Sequence, residues 1–477
     1  HRDLHSFPTR RSSDLVEYPD DIEKDNVIRN SVNLIRLLTR IIFVWFIKEK
    51  RLIPEVIFVK NNIKGLLKEF IESEESCSYY KAILQNLFFA ILNQKMGERA
   101  FAKNGSFHEN KTHYGVKSLL RYSELFKIEE SGVLELFKEV PFLNGGLFDC
   151  LDITDNNGKV KYIDGFSRNP KKQAFVPDHL FFSEETNVDL NEIYGTTNKA
   201  YKVRGLIDIL SSYKFTIADN TPVEEEVALD PELLGRVFEN LLASYNPETQ
   251  TTARKQTGSF YTPREIVNYM VDESLKYYLK QKLEETGMNS EDAEVGLDFL
   301  IGYNEKGNPF NNDETQKLIK AIDNCKILDP ACGSGAFPMG ILHKLVHILH
   351  KLDPDNAQWE ERQIRKAEKI EDPVMREQAI EDIENAFLTN ELDYGRKLFL
   401  IENCIHGVDI QPIAVQISKL RFFISLVVDQ KKDPQKENMG ILSLPNLETK
   451  FVAANTLIEL DKPQQMKLKD PEITELE

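Results

Sequence analysis

The chain has 477 residues, 41% of them hydrophobic and 29% charged, enough for about three globular domains with a sizeable core. Its 60 basic and 77 acidic residues leave a formal net charge of −17, which argues against a broadly basic surface for nucleic acid but is compatible with a basic groove confined to one domain. Five cysteines, at 77, 150, 325, 332 and 404, form no close pair of metal spacing and point to free thiols in a reducing, cytoplasmic setting.

The first fifteen residues, His1 to Leu15, have no periodicity and no initiating Met, and look like translated sequencing-adapter sequence. They are set apart from the fold, and a chain that begins this way is expected to be truncated at its start. Residues 16–230 read as a mostly helical region. Ile28, Val32, Ile35, Leu38, Ile42, Trp45 and Phe46 recur at helical steps between Asp25 and Lys50, and Pro54 marks the end. The most apolar run there, Ile41 to Ile47, has seven residues, against the ~20 a bilayer span requires, so no membrane is expected. Residues 62–71 and 80–95 continue the helical pattern, 150–200 are rich in turn residues, and Pro231 to Tyr245 reads as a further helix after Asp230.

Residues 231–477 read as a second unit. Thr262 is placed to cap a helix beginning at Pro263, and a helix start offers free N–H groups to a carboxylate. The most informative stretch is Lys326-Ile327-Leu328-Asp329-Pro330-Ala331-Cys332-Gly333-Ser334-Gly335-Ala336-Phe337, an apolar strand turning through Gly-x-Gly into an amphipathic helix. A dinucleotide fingerprint wants a third glycine where Pro338 stands, and a phosphate-binding P-loop wants a Gly-Lys-Ser/Thr that is absent. Asp329 suits a cationic amine better than a pyrophosphate. An amino-acid-bearing nucleoside such as S-adenosylmethionine fits all three observations.

Along the next helix, Leu342, Leu345, Val346, Leu349 and Leu352 form the core stripe, and His343, His347 and His350 share a neighbouring face. No carboxylate or Cys joins those histidines, so a solvated face rather than a metal site is expected. Residues of about 353–390 alternate in charge and read as a solvated helical hairpin inserted before the second strand. That strand ends Gly407-Val408-Asp409-Ile410, where an acid can accept both hydroxyls of a ribose. A third strand is read over 445–458, ending at Asn455.

Asp-Pro-Ala-Cys-Gly-Ser-Gly-Ala-Phe resembles motif I of the DNA amino-methyltransferases. Phe260-Tyr261-Thr262-Pro263 resembles motif X of the adenine-N6 members, and the stretch from Asp409 through Pro412, Ala414, Lys419 and Arg421 resembles motif II. The segments Leu38 to Lys50 and Pro141 to Asp149 look like parts upstream of the methylase in large restriction-modification proteins. The resemblance implies an α/β, Rossmann-like S-adenosylmethionine-dependent domain preceded by a helical region, in the gamma order of motifs. It implies cofactor contacts from Tyr261, Thr262, Asp329, Pro330, Ala331, Gly333, Gly335, Phe337, Asp409, Ile410 and Asn455. Double-stranded DNA is the implied partner, with an endonuclease fused or separate. The family's catalytic Asn/Asp/Ser-Pro-Pro-Tyr/Phe is absent, since the sequence has no Pro-Pro pair, so the chain reads as a fragment holding a cofactor half-site. Two rivals share the loop at Asp329: a methyltransferase of another substrate, and a non-catalytic interaction subunit.

Overall fold

The computed structural model describes residues 15–70, 75–103, 116–143, 146–154, 159–189, 191, 196–212, 262–303, 307–388 and 392–458. The helix expected over 231–245 and the contact expected from Tyr261 lie outside those residues.

Asp25 caps the first helix, α1 (Asn26–Glu49), its Oδ1 accepting the Ile28 amide at 3.0 Å. This helix has 24 residues and is apolar enough to cross a membrane by length and composition, longer than its seven-residue apolar run suggests. Within the fold 89% of its most apolar window is buried, so it packs as a core helix. Around it lie α2 (Lys60–Leu66), two buried π-helical stretches (Tyr79–Gln85 and Leu87–Ile91) and α3 (Glu130–Leu136). Beyond Ile91 the described residues run mainly through turns, the antiparallel pairs β1 (Ile153–Thr154) with β2 (Val160–Lys161) and β3 (Thr186–Asp189) with β4 (Ala200–Val203), and α4 (Leu206–Ser211).

Arg40 holds this irregular part to α1. Its Nε donates to Leu147 O at 3.0 Å, Nη2 to Asp149 O at 3.0 Å and Nη1 to Asp164 Oδ1 at 2.9 Å, with the guanidinium 4.8 Å from the Phe89 ring centroid. The two upstream segments singled out in the sequence are therefore joined by one buried fork of donors.

The second half starts with α5 (Arg264–Glu284), α6 (Ser290–Ile301) and α7 (Asn312–Asn324). Val267, Val271, Leu275, Leu279 and Leu283, spaced four apart, make the stripe that buries one face of α5. Next come β5 (Ile327–Asp329), α8 (Ala336–Leu352), α9 (Ala357–Ala367), α10 (Pro373–Leu388), α11 (Leu392–Asn403), β6 (Ile405–Asp409), α12 (Pro412–Val428) and β7 (Phe451–Ala453). The three strands form one parallel sheet in the order β5-β6-β7, with Asp329 opposite Gly407 and Asp409 opposite Ala453. All five leucine and valine positions of the α8 stripe are buried, as their spacing requires.

Three expectations are corrected. Thr262 makes no capping bond, and the helix starts one residue later than read, at Arg264 behind Pro263, whose extended ψ of 146° keeps it outside the first turn. The hairpin of α9 and α10 is not wholly solvated, because α9 docks on α7: Gln363 donates to Asp323 Oδ1 at 3.1 Å and Lys366 pairs with Asp323 Oδ2 at 2.5 Å. The histidine face is only partly open. His343 and His350 are exposed, but His347 stacks on Tyr303 with ring centroids 4.4 Å apart and has Nε2 3.2 Å from Gly302 O.

After α12 the chain returns to the first half of the molecule. Phe142 N donates to Asn438 Oδ1 at 2.6 Å, Asn438 Nδ2 to Phe142 O at 2.8 Å, and Leu444 N to Leu143 O at 2.6 Å. Phe142 and Leu143 thus bond to the sheet-bearing half, as Leu147 and Asp149 do to α1.

Candidate cofactor site

Parallel strands end together, so the loops after β5, β6 and β7 meet at one edge of the sheet. The loop after β5 is fixed there almost residue by residue. Pro330 O accepts from Thr456 Oγ1 at 3.2 Å, and Ala331 N donates back to Asp329 Oδ1 at 3.1 Å. Cys332 N donates to Val408 O at 2.9 Å, and Gly333 N to Asp409 Oδ2 at 2.9 Å. Ser334 O accepts from Arg421 Nη1 at 3.1 Å. Gly335 closes the turn with its amide on Cys332 O at 2.8 Å before α8 begins.

Two glycines are required by this geometry. Gly335 has φ +84°, and a Cβ there would stand 2.4 Å from Ser418 Oγ. Gly407 in β6 admits the loop itself, since a Cβ would lie 2.7 Å from the Phe451 ring and 2.9 Å from Cys332 Sγ. Gly333 also adopts a positive φ, +53°.

The two carboxylates differ. Both oxygens of Asp409 already accept main-chain amides, Gly333 on Oδ2 and Gln411 on Oδ1 at 2.8 Å. Each oxygen keeps a second lone pair for a ligand hydroxyl. Asp329 is half-buried, and its Oδ2 is a buried acceptor with no hydrogen-bond partner. Burial, reinforced by the charge of Asp409, raises its carboxyl above the usual range. Burial, with the same two carboxylates beside it, pushes the Cys332 thiol up to about 12. Cys332 is 4% exposed and packs its sulfur against Gly407.

The other expected residues divide between the loop edge and the sheet's flank. Pro330, Ala331 and Ile410 are exposed, Ile410 by 58%, giving an apolar ledge beside Asp409. Asn455 follows β7, exposed, with its Oδ1 accepting the Leu457 amide at 3.0 Å. Phe337 lines an apolar cavity of about 300 Å³ with Met270, Tyr278 and Ile327, between α5, α8 and the open edge of β5. Thr262 precedes α5, whose Val267 would lie 2.8 Å from a Cβ on Gly340, so the start of α5 crosses the first turns of α8. Lys344 pairs with Asp272 at 2.9 Å across the same crossing.

The sequence alone does not place Thr456 or Ser418 at the loop or give Arg421 its bond to Ser334 O. Only the turn chemistry near Asn455 and the helical spacing of Ser418 and Arg421 could have pointed to them. Among the described residues no group of three His, Cys, Asp or Glu gathers to hold a metal ion.

The donor set suits an amine-bearing nucleoside. An unsatisfied buried carboxylate oxygen favours a cation, a second carboxylate can accept ribose hydroxyls, and the first turn of α8 leaves main-chain amides without intrahelical partners. Two acids at one edge disfavour a pyrophosphate.

Over 426 residues, 88% of its length, the chain is 25% identical to a protein of Methanocaldococcus jannaschii named as a candidate type II restriction enzyme and methyltransferase. The match spans 27% of that relative's length. No family model and no solved structure matches the chain.

Proposed function

We propose that the chain carries the S-adenosylmethionine seat of a Rossmann-like methyltransferase that modifies adenine N6 of DNA within a restriction-modification system. The observation that carries this reading is the partnerless buried Oδ2 of Asp329, next to Asp409 and above a glycine turn. The α-amino group of the cofactor supplies the missing donor and a compensating charge, and Asp409 takes the ribose. Ile410 and Asn455 flank the adenine, and Thr262 at the start of α5 stands toward the methionine end.

When bound, the cofactor supplies a methyl group activated on a sulfonium. The residues of this chain hold and orient it. The sequence has no Asn-Pro-Pro-Tyr or Asn-Pro-Pro-Phe segment, so the proposal gives this chain the cofactor and not the transfer residues. DNA as substrate is supported by the order of the three resembling segments and by the relative's name. Double-stranded DNA and an endonuclease, fused or separate, are the partners that follow from it.

Equilibrium dialysis with radiolabelled S-adenosylmethionine tests the ligand class. S-adenosylhomocysteine should displace the label, while millimolar NAD or ATP should not. Displacement by either of the latter at comparable concentration would reassign the loop to a nucleotide phosphate.

A further inference from the structure

Lys419 and Arg421 stand out in the α12 sequence but have no part in the reading above. Lys419 pairs with Glu448 at 2.7 Å, on the side facing the first half of the molecule. Arg421 points the other way. It is 4% exposed, and its Nη1 donates to Ser334 O at 3.1 Å, inside the glycine turn.

Ser334 lies between two residues in the left-handed region, Gly333 at φ +53° and Gly335 at φ +84°. The peptide between Ser334 and Gly335 turns over more easily than most, because Gly335 has no Cβ to oppose the change in its φ. The Ser334–Gly335 peptide can therefore present its carbonyl inward, to α12, or outward, to the ligand edge. The Arg421 guanidinium selects the inward form by its bond to Ser334 O, while Ser418, one turn earlier, packs so closely on Gly335 that no Cβ fits between them. An outward carbonyl would set a negative dipole end beside the first turn of α8, where main-chain amides otherwise favour an anion.

We propose that Arg421 is a positioning residue for the cofactor turn: by holding Ser334 O inward it keeps that edge favourable to the carboxylate of the cofactor's amino-acid end. The inference rests on the S-adenosylmethionine reading. It assigns Arg421 no contact with the ligand.

The test compares S-adenosylmethionine with its decarboxylated form, which differs only by the carboxylate, by calorimetry on the chain and on Arg421→Lys and Arg421→Gln, with melting curves for each. The unaltered chain should prefer the carboxylate-bearing ligand by about tenfold, the size of one charge-assisted hydrogen bond. Arg421→Gln should reduce that preference to about threefold or less while leaving affinity for the decarboxylated form unchanged, and Arg421→Lys should restore part of it. Equal losses for both ligands, an unchanged preference in Arg421→Gln, or the absence of any preference in the unaltered chain would overturn the proposal. If Arg421→Gln does not fold, Arg421→Lys carries the comparison, and failure of both to fold would make Arg421 a core residue and overturn it too. Binding of neither ligand by the unaltered chain is a different result, the failure of the cofactor reading itself.

Discussion

Gly333 donates its amide to Asp409 Oδ2 at 2.9 Å, so the acid at the end of one strand clamps the glycine turn at the end of its neighbour. Asp409→Asn keeps the shape but offers an amide group where an acceptor is needed for one of the two main-chain donors. The loss should be about 1 kcal/mol of stability, the low end of the cost of an unsatisfied amide, since both bonds are only half-buried. Urea unfolding of the two proteins measures it, and equal midpoints would show that the clamp contributes nothing.

Asp329 should trade stability for binding. Its carboxyl is held above the ordinary value by burial and then by the charge of Asp409. A raised carboxyl favours folding only while protonated, so that contribution is present below the unfolded value of about 4 and is lost as pH rises through the folded value. At pH 7 the ionised group is a burden, and Asp329→Asn should melt higher than the unaltered chain, with the gap narrowing toward pH 4. The same substitution should weaken S-adenosylmethionine binding. A lower melting temperature at pH 7 would mean that the charge is compensated within the fold.

Much of this edge is legible in the sequence, and the reasons are local. Strand, acid, glycine turn and amphipathic helix are encoded within the stretches at 326–352 and 405–428, and the helical steps of α1 and the α8 stripe follow from side-chain spacing alone. Arg40 was not legible, because its partner Asp164 lies 124 residues away and no periodicity connects them. The return of Asn438 to Phe142 spans 296 residues and was equally hidden. Thr262 and His347 misled for a related reason: cap geometry and the burial of a helix face depend on which element packs there, here α8 under α5 and the Gly302–Tyr303 turn against His347.

Arg40 and Asp164 form a buried pair, with side chains 6% and 2% exposed, and Arg40 also carries the carbonyls of Leu147 and Asp149. Arg40→Met should lower stability by about 3–5 kcal/mol, because it leaves the buried Asp164 carboxylate with only the Leu151 amide and without its paired cation, and takes the Arg40 donors from two carbonyls. Arg40→Lys should recover only a fraction, since one ammonium cannot reach three acceptors in a fork. Chemical denaturation reads both, and a full recovery by Lys would reduce the site to simple charge pairing.

His347 should resist protonation. Burial lowers its imidazole to about 4, outweighing the opposite effect of the Gly302 carbonyl, with Lys351, Lys344 and His350 adding to the depression. A depressed histidine supports folding above the unfolded value near 6.5, and that support is lost as pH falls toward 4. His347→Gln should therefore flatten the stability loss between pH 6.5 and pH 4. A proton NMR titration showing an ordinary midpoint for His347 would contradict the packing against Tyr303.

Whether the edge between Asp329 and Asp409 seats S-adenosylmethionine is decided by calorimetric titration of the cofactor into the unaltered chain and into Asp409→Ala. Binding should be saturable and one-to-one, and should weaken at least about tenfold in the variant, the scale of losing charge-assisted bonds to a ribose. Equal affinity in the two proteins, or no heat of binding with the unaltered chain, would contradict it.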